Sequence, residues 1–432
     1  MVPNRSWGEG RRLFRDPVHG FIGLEPEETT RLLPLIDSPQ FQRLRRVSHL
    51  GTSRYTYHGA EHSRFGHAMG TMWNMRNLIL RFESGGVPLQ GNAASNGAAA
   101  ALLHDLGHGP LSHVLEEVTE GKFSHETMTR QIIEHSGVKD LLQEPGAVLE
   151  ILSGLTSPPN RWLSEAISGP LDVDKMDYLL RDSHYCGVEY GLFDFDRLFS
   201  VLRPVENGGV RHLGIEFKGV QAAEGFVLSR DRMYWAVYFH KTTRGVEKLV
   251  SAILRRAKDL QGAGTDVGLG ESLGTLLSDG EMDIEDFQEF DDTSLFAQLK
   301  AWKRSSDAIL SDLCNRFFGR RLLKAHVVSA QQVAQVLERR DEIQQALDGL
   351  GLDFRYYFAI DDPSMSPYEP GGLNDEGSKI VVEAEPSSGT AGQISEISRF
   401  SRIVRLLREE RKTELRVYST ADGLRTIMDL LA

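Results

Sequence analysis

Three histidines and an aspartate that could bind a metal ion or transfer a proton lie close together in the chain: His104, Asp105, His108 and His113. They follow a run of alanine and leucine, which predicts a helix that carries His104 and Asp105 into an apolar setting and ends at the glycines beyond. On such a helix His108 lies one turn after His104 on the same face, and Asp105 can share an ion with His104. Histidines that cap a helix end are the competing interpretation.

Histidine is concentrated in one part of the chain. Eight of the 14 histidines lie between His49 and His125, and a second dense group over 58–67 precedes a helical run. Histidines scattered through a core or over a surface would not cluster in this way. The clustering therefore favours a metal or phosphate site.

The stretch 172–182 predicts a helix with one polar face. Asp174, Lys175, Tyr178 and Asp182 share that face, and apolar residues occupy the other. A functional face is one interpretation. An exposed face of short-range ion pairs is an equally good one.

A second stretch, 230–241, mixes cations with flat rings. Arg230, Tyr234, Tyr238 and Lys241 share one helical face. A base can stack on such rings while phosphates meet the cations, so the pattern suits a nucleotide. A tyrosine stripe is also typical of a buried core.

Length and composition bound the protein that these elements build. The chain has 432 residues, of which 40% are hydrophobic, enough for a large buried core. No apolar run approaches the ~20 residues of a membrane span and the first residues are not a secretory signal, so we expect a cytoplasmic protein with no membrane partner. The two cysteines form no Cys-x-x-Cys metal-binding motif, so nitrogen and oxygen ligands must hold any ion. The net charge of −12 argues against a nucleic-acid partner.

Helical periodicity between Ser38 and Lys324 predicts a mainly α fold. We expect an N-terminal hairpin segment over 1–36 that packs on the core, a helical core over 37–325, and a small α+β lobe over 326–432. Ser38 and the proline after it predict a helix start. The basic face of that helix, with Gln42 and Arg45, is interpreted from its periodicity as solvated.

Five motifs give the sequence a family resemblance. They are DPVHG from Asp16, SPQFQRLR from Ser38, RFGH from Arg64, LHDLGHGPLSH from Leu103 and DVDKMDY from Asp172. With these motifs the chain resembles the HD-domain phosphohydrolase superfamily, and within it the deoxynucleoside triphosphate (dNTP) triphosphohydrolases. The likeness runs from about Arg12 to Lys324 and, more weakly, beyond. It implies an all-helical HD-domain core with a small N-terminal hairpin and a small α+β C-terminal lobe.

The resemblance implies roles for individual residues. It assigns a divalent ion, with Mn, Fe, Mg, Ni and Zn all compatible, to the ligands His67, His104, Asp105 and Asp174. It makes His113 the general acid, with His108, Glu116 and His125 as the hydrogen-bonded group around it. Substrate contacts are expected from His49, Leu50, Arg64, Lys175, Tyr178, Asp182, Arg230, Tyr234, Tyr238, His240 and Lys241.

The implied substrate contacts divide by chemistry. Phosphate would be met by Arg64, Lys175, His240 and Lys241. The sugar would be contacted by Tyr178 and Asp182, with Tyr238 stacked or packed near it. Leu50 matches a residue whose bulk excludes a ribose 2′-hydroxyl, which favours deoxyribose. His49 stands where the relatives have a glutamine that reads the sugar 3′-hydroxyl, and Tyr234 stands where they have a histidine.

The same resemblance implies a second nucleotide site. In tetrameric relatives a guanine nucleotide activator is held by residues that match Arg12, Asp37, Gln42, Arg45, Arg320 and Lys324. An aspartate can accept from the guanine ring and the cations can meet the triphosphate. We therefore expect a homo-oligomer, dimer or tetramer, that GTP or dGTP activates.

Three function classes remain open at this point. The first is a metal-dependent dNTP triphosphohydrolase, which releases the triphosphate in one piece. The second is an HD-domain enzyme that acts on another phosphate ester, such as a nucleoside monophosphate or a ribonucleotide. The third is a non-catalytic nucleotide-binding regulator, against which the complete set of metal-binding residues argues.

Overall fold

Residues 12–24 form the expected hairpin. The computed structural model describes residues 10–89, 91–365, 379–383, 394–409 and 412–431. Strands β1 (Arg12–Asp16) and β2 (Gly20–Leu24) pair antiparallel. Asp16 shapes the turn between them because its Oδ1 accepts hydrogen bonds from the backbone N–H groups of Val18 and His19, both at 2.9 Å.

Helices make up most of the chain that follows, which confirms the mainly α prediction. In order they are α1 (Pro26–Ile36), α2 (Pro39–Arg43), α3 (Arg64–Ser84), α4 (Ala93–Leu103), α5 (Ser112–Val118), α6 (His125–His135), α7 (Val138–Leu141), α8 (Pro145–Leu152), α9 (Arg161–Glu165), α10 (Val173–Cys186) and α11 (Phe195–Val201).

The next segment adds a hairpin and long helices. It contains β3 (Leu202–Asn207), β4 (Val210–Glu216), α12 (Val220–Met233), α13 (Lys241–Gly262), α14 (Glu271–Asp279), α15 (Ile284–Glu289), α16 (Asp292–Trp302) and α17 (Ala308–Phe318).

The C-terminal part mixes strands and helices. It contains β5 (Lys324–Val327), α18 (Ala330–Glu338), α19 (Arg340–Gly349), α20 (Phe354–Tyr357), β6 (Ala359–Asp361), β7 (Ser364–Met365), β8 (Val381–Glu383), β9 (Ile394–Glu396), α21 (Arg402–Glu409), β10 (Lys412–Thr413), β11 (Arg416–Ser419) and α22 (Ala421–Leu431).

The small sheets join segments that are distant in sequence. Strand β8 pairs parallel with β4 and antiparallel with β9, so a C-terminal segment extends the hairpin β3–β4. Strand β11 lies between β5 and β6 and pairs antiparallel with both. These pairings tie the C-terminal part of the chain to the helical part.

Helix α3 lies at the centre of the site region, packed against α4 and α10. The part of α4 over 98–103 is buried on every side, as expected for a helix that is apolar all round. The start of α2 confirms the sequence signal, because Ser38 Oγ accepts a hydrogen bond from the N–H of Phe41 at 3.3 Å. None of the described helices combines the length and the hydropathy needed to cross a membrane.

Arg320 and Lys324 do not share a helix. Their spacing predicts two cations one helical turn apart, but this is wrong because α17 ends at Phe318 and Lys324 begins strand β5. Arg320 adopts a left-handed backbone conformation, φ 51°, which ends the helical path.

Candidate metal and nucleotide site

A single cavity of about 1290 Å³ collects most of the predicted site residues. Its walls come from α3, α5, α6, α8, α9, α10, α12 and α13, the turn after α4, and the segments 48–53 and 234–239. The predicted residues that line it are His49, Leu50, Arg64, His67, His104, Asp105, His108, His113, His125, Asp174, Lys175, Tyr178, Asp182, Arg230, Tyr234 and Tyr238.

Four side chains converge in this cavity, and we call them the His67 group: His67, His104, Asp105 and Asp174. The Nε2 atom of His67 lies 2.9 Å from Asp174 Oδ1, and that of His104 lies 3.6 Å from the same oxygen. Asp105 lies 3.3 Å from His104 Nε2 and 3.8 Å from His67 Nε2. Nitrogen and carboxylate ligand atoms therefore face a common point.

Outer hydrogen bonds set the tautomers of both imidazoles. The Nδ1–H of His67 donates to Asp177 at 2.8 Å, and the Nδ1–H of His104 donates to the carbonyl of Ala101 at 2.9 Å. The Nε2 atoms are consequently the ones that face Asp174. Among the described residues, the buried Nε2 of His104 has no hydrogen-bond partner. This is the outer-shell pattern of histidine metal ligands.

The electrostatics of the His67 group favour a positive charge between its members. Burial opposes protonation of His67, yet hydrogen bonds to Asp174 and Asp177 raise the pKa of its imidazole to about 10. Despite burial, His104 and Arg64 hold the pKa of Asp105 well below its usual range. Ionised carboxylates that face imidazole lone pairs need a proton or a cation between them.

The turn after α4 corrects one prediction. The helix ends at Leu103 rather than continuing through His104 and Asp105, so His108 does not follow on the same helical face. A turn brings it in instead: His108 Nε2 lies 3.2 Å from Asp105 Oδ1. A Cβ on Gly107 would lie 2.1 Å from the carbonyl oxygen of His125. The close approach of α6 therefore leaves no room for a side chain at position 107.

Arg43 holds this turn in place, and the sequence interpretation missed it. It is 1% exposed, and its guanidinium donates two hydrogen bonds, at 2.9 and 2.8 Å, to the carbonyl of His108. A third goes to the carbonyl of Phe287 at 2.9 Å. Burial lowers its pKa to about 9. The motif SPQFQRLR contains Arg43, but helical periodicity alone does not distinguish it from surface arginines.

Asp177 is a second residue that the sequence interpretation missed. Besides His67 Nδ1, it accepts hydrogen bonds from His19 Nε2 at 2.7 Å and from the Nε of Arg181 at 2.8 Å. Arg181 also donates to Asp16 at 3.0 Å. The DPVHG turn of the hairpin is thereby joined to a predicted metal ligand.

Gly70 makes room for Asp177. A Cβ on this residue of α3 would lie 1.8 Å from Asp177 Oδ1 and 2.6 Å from a guanidinium nitrogen of Arg181. No side chain can therefore occupy this position without displacing the carboxylate. Gly70 is the sequence signal that a buried group approaches α3 here.

The predicted proton-transfer residues form one connected group. His125 Nδ1 donates to Glu116 Oε1 at 2.6 Å, and His113 Nδ1 lies 3.4 Å from Glu116 Oε2. His108 stacks on His125 with ring centroids 3.9 Å apart. Although burial opposes it, hydrogen bonds from both histidines hold the pKa of Glu116 well below its usual value. Glu116 lies behind the cavity lining.

A second set of similar composition lies beside the first, and we call it the His62 group: His49, His62 and Asp182. His62 Nε2 donates to Asp182 Oδ1 at 2.8 Å, and His49 Nε2 lies 3.6 Å from the same oxygen. Tyr238 donates its hydroxyl to the other oxygen at 2.7 Å. The Nδ1 atoms of both histidines are buried without a partner among the described residues.

The aromatic wall departs from the predicted helical face. Helix α12 ends at Met233, and a single π-helical turn occupies Tyr234–Tyr238 before α13 begins at Lys241. The prediction that Lys241 shares the face of Tyr238 is wrong because this turn interrupts the 3.6-residue period. Lys241 is exposed, and its neighbour His240 accepts a hydrogen bond from the N–H of Thr242 at 3.1 Å. Neither residue lines the cavity.

The residues predicted to bind an activator lie on the surface. Gln42 donates to the carbonyl of Ile36 at 2.8 Å and accepts from Arg45 Nε at 2.9 Å. Arg45 covers the ring of Phe65, and Arg320 donates to the carbonyl of Tyr55 at 3.0 Å. Arg12, Asp37 and Lys324 are exposed. Among the described residues, these contacts do not join the side chains near α2 to those near β5.

Comparisons with known families agree with this geometry. Residues 64–182 match the HD domain, and residues 193–266 match the HD associated region. Both His67 and Asp174 fall within the HD match.

Relatives extend the match beyond the domain. The uncharacterized protein YwfO of Bacillus subtilis is 34% identical over 427 residues, which cover 97% of this chain and 94% of that protein. The deoxynucleoside triphosphate triphosphohydrolase SAMHD1 of Homo sapiens is 29% identical over 59% of this chain, which spans 46% of that protein.

A solved structure completes the comparison. The phosphohydrolase of Bacteroides thetaiotaomicron superposes with a TM-score of 0.79 at 28% identity, over 95% of this chain and 99% of that one. The HD match, the full-length relative and this superposition all contain the segment that carries the His67 group. The chain belongs to the HD-domain phosphohydrolases.

Proposed function

We propose that the protein is a metal-dependent dNTP triphosphohydrolase, which converts a dNTP and water to a deoxynucleoside and inorganic triphosphate. The observation that carries this proposal is the position of the His67 group in one cavity with cations and aromatic rings. The partial likeness to a named dNTP triphosphohydrolase supports the choice of substrate.

The His67 group fits a divalent ion. Its donors are two imidazoles and two carboxylates, its outer hydrogen bonds use Nδ1 and direct Nε2 towards the carboxylates, and the buried Nε2 of His104 has no partner among the described residues. We assign His67, His104, Asp105 and Asp174 as ligands. An ion bound there makes a water molecule more acidic and neutralises phosphate charge.

The histidine group around Glu116 would supply the proton that the leaving group needs. Water adds to the α-phosphorus and loses a proton to the solvent, the bond from phosphorus to the 5′-oxygen breaks, and that oxygen takes up a proton to leave as a hydroxyl. We assign this donation to His113. Glu116, paired with both His113 and His125, would stabilise the protonated form of the donor.

The cavity walls would bind the two ends of the nucleotide differently. Arg64 and Lys175 lie beside the His67 group, paired with Asp105 and Asp172 at 2.6 Å each, and would orient the triphosphate together with Arg230. Tyr178 and Asp182 would contact the sugar. The remaining substrate-binding wall consists of His49, Leu50, Tyr234 and Tyr238.

The metal site does not select the nucleotide, so the preference for a dNTP rests on this wall. His49, whose burial and charged neighbours hold its pKa well below the usual range, would act as a neutral ring at the sugar. Leu50 beside it would oppose a 2′-hydroxyl.

The most specific parts of this proposal are a guanine nucleotide activator and a homo-oligomer. Activator binding would bring the residues near α2 together with those near β5 across a contact between subunits, since the hydrogen bonds of these residues within the described part of one chain do not join them. Sedimentation and activity with and without GTP or dGTP test this part. An unchanged sedimentation coefficient and an unchanged rate would contradict it.

Product analysis tests the reaction itself. The wild type and Asp105→Ala are incubated with each dNTP, each ribonucleoside triphosphate and each nucleoside monophosphate, with Mn or Mg, and the products are separated. We expect deoxynucleoside and intact triphosphate from the wild type alone. Release of monophosphate and pyrophosphate, or hydrolysis only of monophosphates or ribonucleotides, would overturn the proposed reaction.

A further inference from the structure

The three-stranded sheet of β5, β11 and β6 lies against the segment that forms one wall of the cavity. Arg416 on β11 donates to the carbonyl of Phe239 at 2.6 Å, and Tyr418 on the same strand donates its hydroxyl to the carbonyl of Lys241 at 3.2 Å. A Cβ on Gly245 would approach the ring of Tyr418 to 3.2 Å. Side chains of the sheet thus contact the backbone at the start of α13.

A buried ion pair reinforces this contact. Asp361 on β6 is 3% exposed and accepts two hydrogen bonds from the guanidinium of Arg244, at 3.0 and 2.5 Å. Lys248 lies 3.4 Å from the same carboxylate. Burial would raise the pKa of Asp361, but Arg244 and Lys248 hold it below its usual value. Such two-pronged pairs fix orientation as well as distance.

The same segment also lines the cavity, through Thr243, Arg244 and Glu247. Arg244 donates to Glu247 at 2.6 Å, so the residue that pairs with Asp361 also lines the cavity. The segment 234–247 therefore contacts both the C-terminal sheet and the space for substrate.

A π-helical turn forms part of this wall. A π turn is a rare, local widening of a helix and is frequent at functional sites. Tyr234 and Tyr238 reach the cavity from it, and Tyr238 donates to Asp182 at 2.7 Å. The carbonyl of Phe239, directly after the turn, is one that Arg416 binds.

We propose that the C-terminal sheet positions the part of the cavity wall that segment 234–247 forms. Asp361, Arg416 and Tyr418 are the positioning residues, and they act through Arg244 and the backbone at 239–241. Metal binding does not depend on them, because no member of the His67 group lies on this segment. The identity of the ligand as a nucleotide rests on the proposed function. The link between the C-terminal sheet and segment 234–247 does not rest on the proposed function.

The experiment compares Asp361→Asn with Asp422→Asn, an exposed aspartate of the same lobe that pairs only with the exposed Arg425 among the described residues. Amide hydrogen exchange over 234–247 is measured in the full chain without substrate. We expect faster exchange there in Asp361→Asn, unchanged exchange over 104–108, and wild-type exchange in Asp422→Asn. The KM for the dNTP should rise about tenfold in Asp361→Asn, since small displacements of binding groups have large effects, with Mn affinity unchanged.

Tyr418→Phe gives a milder test if Asp361→Asn does not fold. It removes only the hydroxyl that donates to Lys241, and we expect a smaller change of the same kind. A lower melting temperature with wild-type exchange over 234–247 and wild-type KM would overturn the proposal. If the wild type hydrolyses no dNTP, the proposed function fails, while the exchange comparison still decides whether the sheet holds the wall.

Discussion

The His67 group and the His62 group contain nearly the same side chains but differ in what lies behind them. In the His67 group the Nδ1–H bonds to Asp177 and Ala101 leave the Nε2 lone pairs for a cation. In the His62 group His62 Nε2 donates to Asp182, and Nδ1 has no partner among the described residues. The ligand atoms of the His62 group lie within 4.8 Å of one another, and so do those of His67, His104 and Asp174. Proximity alone therefore does not distinguish them.

The energetic difference between the groups lies in the outer hydrogen bond. An imidazole that ligates through Nε2 carries its proton on Nδ1, and in the His62 group that proton would be buried without an acceptor. Leaving a buried donor unsatisfied costs about 1–3 kcal/mol. Asp182 is also already satisfied by Tyr238 and His62. We therefore interpret the His67 group as the metal site and the His62 group as part of the substrate wall.

The largest expected effect comes from removing one charge from each group. Asp174→Asn should lower kcat more than about 1000-fold, because a bound ion contributes several kcal/mol of charge stabilisation. Asp182→Asn, the matched change in the His62 group, should raise KM and leave kcat within about tenfold. Steady-state kinetics at saturating Mn measures both. Equal loss of kcat in the two variants would remove the distinction between the groups.

The outer hydrogen bond itself can be tested with Asp177→Asn. An amide can offer Nδ1 of His67 only a weaker acceptor, so Mn affinity should fall roughly 10–100-fold. Titration calorimetry of the metal-free protein provides the affinity, and Asp182→Asn is the control. Unchanged Mn affinity in Asp177→Asn would show that this carboxylate does not support the metal site.

Steric room for Asp177 gives a stability prediction. Gly70→Ala places a Cβ 1.8 Å from the carboxylate and should destabilise the fold by about 1–3 kcal/mol. Gly225→Ala, in a helix where a Cβ would meet no described atom within 4 Å, should stabilise it by about 0.4–1 kcal/mol. Urea unfolding of the two variants compares them. A neutral Gly70→Ala would mean that the carboxylate can move away without loss.

The smallest effect concerns the proton-transfer residues. The pKa of Glu116 lies below its unfolded value, so its ionised form stabilises the fold above pH 4.5, and this contribution is lost as pH falls towards the folded pKa. Glu116→Gln should cost about 1 kcal/mol at pH 7, discounted for partial exposure. The difference from wild type should vanish in acid. A difference that grows as pH falls would contradict the assigned ionisation.

Periodicity and composition predict the helical fold and the segments that meet at the site. The polar face of α10 is an example, because Asp174, Lys175, Tyr178 and Asp182 all line the cavity. Those four side chains follow the regular 3.6-residue period. Local physics therefore determines them without reference to the rest of the chain.

Other parts of the site depend on contacts between distant segments. Arg43 and Asp177 look like ordinary helix residues until the turn at 104–108 and the hairpin are packed against them. The π turn at Tyr234–Tyr238 breaks the period that placed Lys241 at the site. Tertiary packing, rather than local preference, decides such features, so a single sequence does not reveal them.

Metal stoichiometry tests the central distinction most directly. The purified wild type, Asp174→Asn and Asp182→Asn are saturated with Mn, freed of excess, and analysed by mass spectrometry for metal per chain. Our account predicts one ion in the wild type, one in Asp182→Asn and none in Asp174→Asn. A second ion in the wild type that is lost in Asp182→Asn would contradict it, because the His62 group would then be a metal site as well.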